Sequence, residues 1–173
     1  MPKIDDSLKA TYGGDWIQQT WTGLFCLECV LTKYKPGVII ELGTGYGSLS
    51  RFFAMFAPVH TWDIDNTKLI KEYPNITYCN SDVFAETTKL KIFNLIAQPR
   101  RTFLFCDGGN KGGEMNTYAP LLKTGDLLFA HDWKSDVHIG HITDMLVKLR
   151  PAPISEQAEF DRLKTRLVGF VMR

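Results

Sequence analysis

Residues 38–50 read VIIELGTGYGSLS, and this stretch decides the architecture. An unbroken apolar run, Val38-Ile39-Ile40, leads into an acid, Glu41, and then into three glycines spaced by single residues, Gly43, Gly45 and Gly47. A continuous apolar run of this kind suits a strand buried on both faces. Residues 48–57 follow with helical spacing until Pro58 stops them. A strand, a glycine turn and a helix in succession remove β-carbons where the chain reverses and leave helix-start amides free to meet a polar or negative group.

The same alternation continues in both directions. Residues 15–34 predict a helix, with Trp16, Thr20, Leu24, Leu27 and Leu31 near one face, ended by Pro36-Gly37. Further strands are predicted at 59–65 (VHTWDID), 76–80 (ITYCN), 101–107 (RTFLFCD), 127–132 (LLFAHD) and 166–173 (RLVGFVMR). Helices are predicted at 67–73, 85–97, 113–122 and 136–149, and a weakly signalled strand lies between Pro153 and Phe160. Strands alternating with helices imply an α/β fold, a doubly wound and mostly parallel sheet covered by helices in three layers. A length of 173 residues suits one domain, 1–173, whose first 35 residues form a helical cap region.

Composition narrows the function. The net charge of +1 gives no general attraction to nucleic acid or anionic membrane. No apolar run approaches the roughly 18 residues of a membrane span, and the polar start MPKIDDSLKA lacks a signal-peptide core, so a cytoplasmic protein is expected. Cys26, Cys29, Cys79 and Cys106 lack the partners of a zinc site and are expected to be buried, reduced thiols.

Polar groups end five strands: Glu41, Asp63, Asp82 just past the third, Asp107, and the pair His131-Asp132. In a parallel sheet these ends share one edge, where ligands bind. Asp63 lies twenty positions after Gly43, the place from which a carboxylate accepts both hydroxyls of a ribose. A nucleoside-containing cofactor follows. A nicotinamide dinucleotide prefers a different glycine spacing and a further substrate domain; a nucleoside-binding protein without catalysis is a third possibility.

On Glu41, the Gly43-Thr44-Gly45-Tyr46-Gly47 turn, Asp63, "NSDVF" and "FCDGG", the sequence resembles the class I S-adenosylmethionine-dependent methyltransferases over residues 36–133. That resemblance implies a Rossmann-like sheet with an antiparallel last strand, supplied by RLVGFVMR. It implies that Glu41, Gly43, Thr44, Gly45, Tyr46 and Gly47 hold the methionine and ribose part, that Asp63 takes the ribose hydroxyls, and that Asp82 and Val83 meet the adenine. Asp107 would sit beside the sulfonium and a small-molecule or sugar-like acceptor hydroxyl. Glu114, Pro120, Leu121, Leu122, His131 and Asp132 match a branch with an Asp-Gly-x-His loop and a closing His-Asp, although Asn110 stands where that loop has histidine. By the same resemblance Asp107, His131 and Asp132 are the catalytic candidates, and Asp107 and Asp132 could hold a divalent metal, Mg or Mn. His138 and His141 read as surface or packing residues.

Overall fold

The computed structural model describes residues 9–173. The polar residues 1–8, on which the leader reading rests, lie outside the described residues. The chain opens with an antiparallel hairpin, β1 (Lys9–Tyr12) and β2 (Asp15–Thr20). Gly13 and Gly14 turn it with φ of +60° and +89°, the left-handed conformations that two-residue hairpin turns demand. The helix predicted from residue 15 therefore starts only at Trp21. Along β2 the burial alternates, Ile17 and Gln19 inward and Gln18 outward, a period of two. Thr20 then caps α1 (Trp21–Tyr34) by accepting from the Gly23 amide at 3.0 Å.

Beyond α1 the predicted alternation holds: β3 (Val38–Leu42), α2 (Ser48–Phe53), β4 (Val59–Asp63), β5 (Ile76–Asn80), α3 (Glu86–Ile96), β6 (Thr102–Cys106), α4 (Lys111–Tyr118), β7 (Leu127–Ala130), α5 (Ile139–Leu149), β8 (Ala152–Pro153), α6 (Gln157–Arg162) and β9 (Val168–Val171). Two short segments differ from expectation. In place of a helix over 67–73 there is one 3₁₀ turn, Asn66–Lys68, and Pro74 follows closely. No strand forms between 153 and 160; the short β8 lies ahead of that stretch, flanked by Pro151 and ending in Pro153, neither of which donates a ladder hydrogen bond. The helix α6 takes over, and Gln157 accepts from the Gly169 amide at 3.0 Å and donates to the Leu167 carbonyl at 3.1 Å, serving β9 where a strand would.

The large sheet has seven strands in the order β5-β4-β3-β6-β7-β9-β8. The first five are parallel; β9 runs antiparallel to β7, and β8 antiparallel to β9. Successive strands from β3 step one way to β5, then from β6 the other way, so the topological reversal falls between β3 and β6. Both faces are packed. One core holds Leu27 and Leu31 of α1 with Phe53, Phe103, Phe105, Phe129 and Phe160. The other holds Ile40, Leu104 and Leu128 under Ile92, Met115, Tyr118 and Ile142.

Cys26 and Cys106 are buried as expected, but Cys29 is exposed because it lies on the outer face of α1, and Cys79 is half-buried. Among the described residues no helix is long and apolar enough to cross a membrane.

The antiparallel closure depends on Gly169, which faces Phe129 across the β7–β9 ladder. A β-carbon there would come within 2.7 Å of Phe129 Cε1. Gly169→Ala is expected to destabilise the fold by about 1–3 kcal/mol through overpacking, read as a lower denaturant midpoint; an unchanged midpoint would show that the ring moves freely.

Candidate active site

The strand ends β3, β4 and β6 are locked in step. The Gly43 amide donates to the Trp62 carbonyl at 2.8 Å, and the Asp107 amide to the Leu42 carbonyl at 2.8 Å. Above them opens a cavity of about 670 Å³. Every catalytic and cofactor-binding candidate named from sequence borders it: Glu41, the turn from Gly43 through Thr44, Gly45 and Tyr46 to Gly47, then Asp63, Asp82, Val83, Asp107, His131 and Asp132. Sequence reading missed Gln18, Lys111 and several loop residues on the same wall. Trp16 was read as an aromatic on a helix of the N-terminal cap, and Gln18 escaped notice because their strand was read as that helix. Lys111 carried one signal, its place four residues after Asp107 at a helix start.

The glycine turn is braced by its neighbours. Gly45 adopts φ +51° and donates its amide to Asp63 Oδ2 at 3.0 Å, while Asp63 Oδ1 accepts from the Asp65 amide at 3.1 Å. Thr44 and Thr61 join hydroxyls at 2.7 Å. A β-carbon at Gly45 would meet Gln18 Oε1 at 2.7 Å. The turn therefore needs glycine there for its backbone and for the hairpin packed on it, not solely for an approaching ligand. The rings of Trp16 and Tyr46 lie 5.2 Å apart and tie that hairpin to the turn. On the next loop, Asp82 accepts from the Phe84 amide at 2.8 Å, and the Val83 carbonyl accepts from the Tyr118 hydroxyl.

Glu41 is wholly buried. Its Oε2 accepts from the Ser50 hydroxyl, but Oε1 has no partner. Burial pushes its carboxyl up to about 8, against the opposing pull of its hydroxyl partners. Glu114, also buried, is raised to about 7 by the same cause, although backbone amides of the Gly108–Asn110 loop favour its charge.

Asp107, His131 and Asp132 meet at the ends of β6 and β7. His131 Nδ1 lies 3.2 Å from Asp107 Oδ1 and 3.5 Å from Asp132 Oδ2. Burial raises the Asp107 pKa, partly countered by His131 and Lys111. Asp132 sits at φ +56°, an uncommon conformation for a non-glycine residue, and its carbonyl gathers the amides of Ser135, Asp136 and Val137. Lys111, almost entirely buried, completes the cluster: its Nζ lies 3.3 Å from Asp132 Oδ2, 3.6 Å from Asp136 Oδ2 and 3.7 Å from Asp107 Oδ1. Burial pulls the Lys111 pKa down, but the three carboxylates outweigh it and leave it raised.

Among the described residues, Asp107, His131 and Asp132 form the one grouping that could ligate a metal, their donor atoms all within 4.8 Å of one another. Two carboxylates and an imidazole fit a hard divalent ion such as Mg or Mn. The Lys111 ammonium competes for the same oxygens. His138 and His141 stand apart on the protein surface, their rings 3.7 Å from one another.

No protein-family model matches the sequence, and no curated protein matches it. Solved structures do match in fold. CmcI with Mg and SAM superposes with a TM-score of 0.69 at 16% identity, over 94% of this chain and 76% of that one. A methyltransferase from Geobacter sulfurreducens gives a TM-score of 0.58 at 15% identity, over 91% and 80%. The N-methyltransferase NodS from Bradyrhizobium japonicum WM9, in complex with SAH, gives 0.57 at 12% identity, over 87% and 85%. The chain thus shares the Rossmann-like fold of these methyltransferase structures.

Two ligand-free measurements probe this site. With its folded pKa above the unfolded value of 4.5, Glu41 contributes stability at low pH that is lost as pH rises toward about 8, because the unfolded carboxyl ionises first. Glu41→Gln, which mimics the protonated form, is expected to flatten the fall in denaturation midpoint between those limits; Glu114 leaves a residual slope up to about 7. Matching pH profiles for both proteins would refute the burial argument. In the second measurement, Lys111→Met is expected to tighten Mn²⁺ binding by about tenfold or more, followed by electron paramagnetic resonance, since removing a competing charge of this kind is worth over 1.4 kcal/mol. Equal binding by wild type and variant would show that the ammonium does not compete.

Proposed function

We propose that this chain is an S-adenosylmethionine-dependent methyltransferase acting on a hydroxyl of a small-molecule acceptor. One observation carries the reading. A single cavity joins an acid-lined cradle at the glycine turn, with the orphaned oxygen of Glu41 on its wall, to a proton-accepting cluster at the next strand ends. The cradle suits a cationic nucleoside, and the cluster suits an acceptor that must lose a proton.

In this reading Glu41 receives the ammonium of the methionine part, flanked by the turn from Gly43 to Gly47. Asp63 takes the ribose hydroxyls. The Gly45 and Asp65 amides already hold its two oxygens, so the carboxylate is oriented before any ligand arrives. Asp82 and Val83 border the adenine end, with the Val83 loop steadied from beneath by Tyr118. S-adenosylmethionine, when bound, supplies a methyl group on a sulfonium, whose sulfur keeps the electron pair as the new oxygen–carbon bond forms.

The chain's own task is to orient the acceptor and take its proton. Asp107 faces the cavity and is held by His131. With its proton on Nδ1, His131 donates to Asp107 and leaves Nε2 able to accept. Asp132 and Lys111 fix the charge around this pair. Asp107, His131 and Asp132 would also hold a divalent ion, which would lower the pKa of the acceptor hydroxyl. The reading puts the reaction in the reducing cytoplasm, supported by four free cysteines.

Calorimetric titration with S-adenosylmethionine, S-adenosylhomocysteine and NAD in parallel tests the cofactor; binding of NAD without S-adenosylhomocysteine would favour an oxidoreductase. Asp132→Asn is expected to keep S-adenosylhomocysteine affinity yet lower transfer of a labelled methyl group to a hydroxyl-bearing acceptor by roughly 10²–10⁴. Full activity in that variant would remove Asp132 from the chemistry.

A further inference from the structure

A second cavity, of about 240 Å³, adjoins the first, and the two share Trp16, Gln18 and His131. It therefore opens onto the proton-accepting cluster from the side away from Glu41 and Asp63. Its wall differs in charge from the large cavity. No carboxylate borders it among the described residues, whereas Lys164 and Arg166 both do. Lys164 makes no ion pair among the described residues, and Arg166 reaches Asp132 Oδ1 only at 3.7 Å with one nitrogen. Most of the guanidinium's five donors are thus left for something else.

The alternation along β2 turns Trp16 and Gln18 toward the shared wall, so this short strand supplies an aromatic face and an amide to it, while the buried Gln19 side chain faces the other way, toward Gly23 of α1.

We propose that this second cavity seats the methyl acceptor, and that the acceptor is a hydroxylated carboxylic acid. Lys164 and Arg166 hold its carboxylate, Trp16 packs on its body, and its hydroxyl lies at the shared wall near His131. The inference rests on the methyltransferase reading and names the substrate class for it. Electrostatics divides the two ligands: the cationic cofactor is drawn to the side rich in acids, the anionic acceptor to the side with none.

The test uses the full chain, saturated with S-adenosylhomocysteine, titrated with 4-hydroxybenzoate, 4-hydroxybenzamide and inorganic phosphate. The acid is expected to bind about tenfold or more tightly than the neutral amide, as one charge-assisted contact implies. The double variant Lys164→Ala/Arg166→Ala should lose that preference while binding S-adenosylhomocysteine within about twofold of wild type, since neither residue borders the large cavity. Equal affinity for acid and amide, an unaltered preference in the double variant, or displacement of the acid by equimolar phosphate would each overturn the proposal. If wild type binds S-adenosylhomocysteine but not the acid, only the acceptor assignment falls. If it binds no S-adenosylhomocysteine, the methyltransferase reading falls and takes this one with it.

Discussion

A β-carbon on Gly43 would lie 2.6 Å from the carbonyl carbon of Asp107 and 2.8 Å from the Gly108 amide nitrogen. No side chain fits between these two loops, so the first strand end and the fourth must pass in backbone contact. The rest of the site hangs on that approach. It is compatible with the unbroken β3–β6 register, from Val38 opposite Thr102 to Leu42 opposite Cys106, and it brings Asp107 beside the glycine turn. From there β7 carries His131 alongside, its amide donating to the Cys106 carbonyl at 3.2 Å. A site assembled from five strand ends is thus only as well defined as the ladder beneath it.

The charges form a second layer of dependence. Glu41, Glu114 and Asp107 are acids taken out of water, and burial raises the pKa of each. Lys111 is the cation set among them. Its position in the first turn of α4 is unfavourable for a positive charge, because the helix dipole is positive there. Three carboxylates offset that penalty. The arrangement leaves an excess of acid facing the cradle, while the adjoining cavity carries the opposite bias from Lys164 and Arg166. The same fold thereby presents two differently charged chambers on either side of His131, and the hairpin of β1 and β2 supplies part of the wall between them through Trp16 and Gln18.

The sheet was legible in the sequence because its strands are buried on both faces. VII, FLF and LLFA are apolar without interruption, and the glycine turn and prolines punctuate them. The alternation of strands and helices puts Glu41, Asp63, Asp82, Asp107, His131 and Asp132 at one edge, since parallel strands end on the same side. What sequence misread was local: residues 15–20 have apolar spacing compatible with either a helix or a strand, and the Gly13-Gly14 turn decides in favour of the hairpin. Pairing partners that settle such ambiguity lie elsewhere in the chain.

Tertiary structure alone decided the rest. That Glu41 is left with an unpartnered oxygen, that Gln19 is buried without a hydrogen bond, and that Lys111 enters the carboxylate cluster all depend on which side chains meet across distant segments. Lys164 and Arg166 lie over thirty residues from His131, and no spacing rule connects them. The sequence by itself determined the order of elements and the edge at which polar groups collect, because periodicity and turn chemistry are local properties. The division of that edge into two chambers of opposite charge required the folded chain, because electrostatic environment is set by neighbours in space.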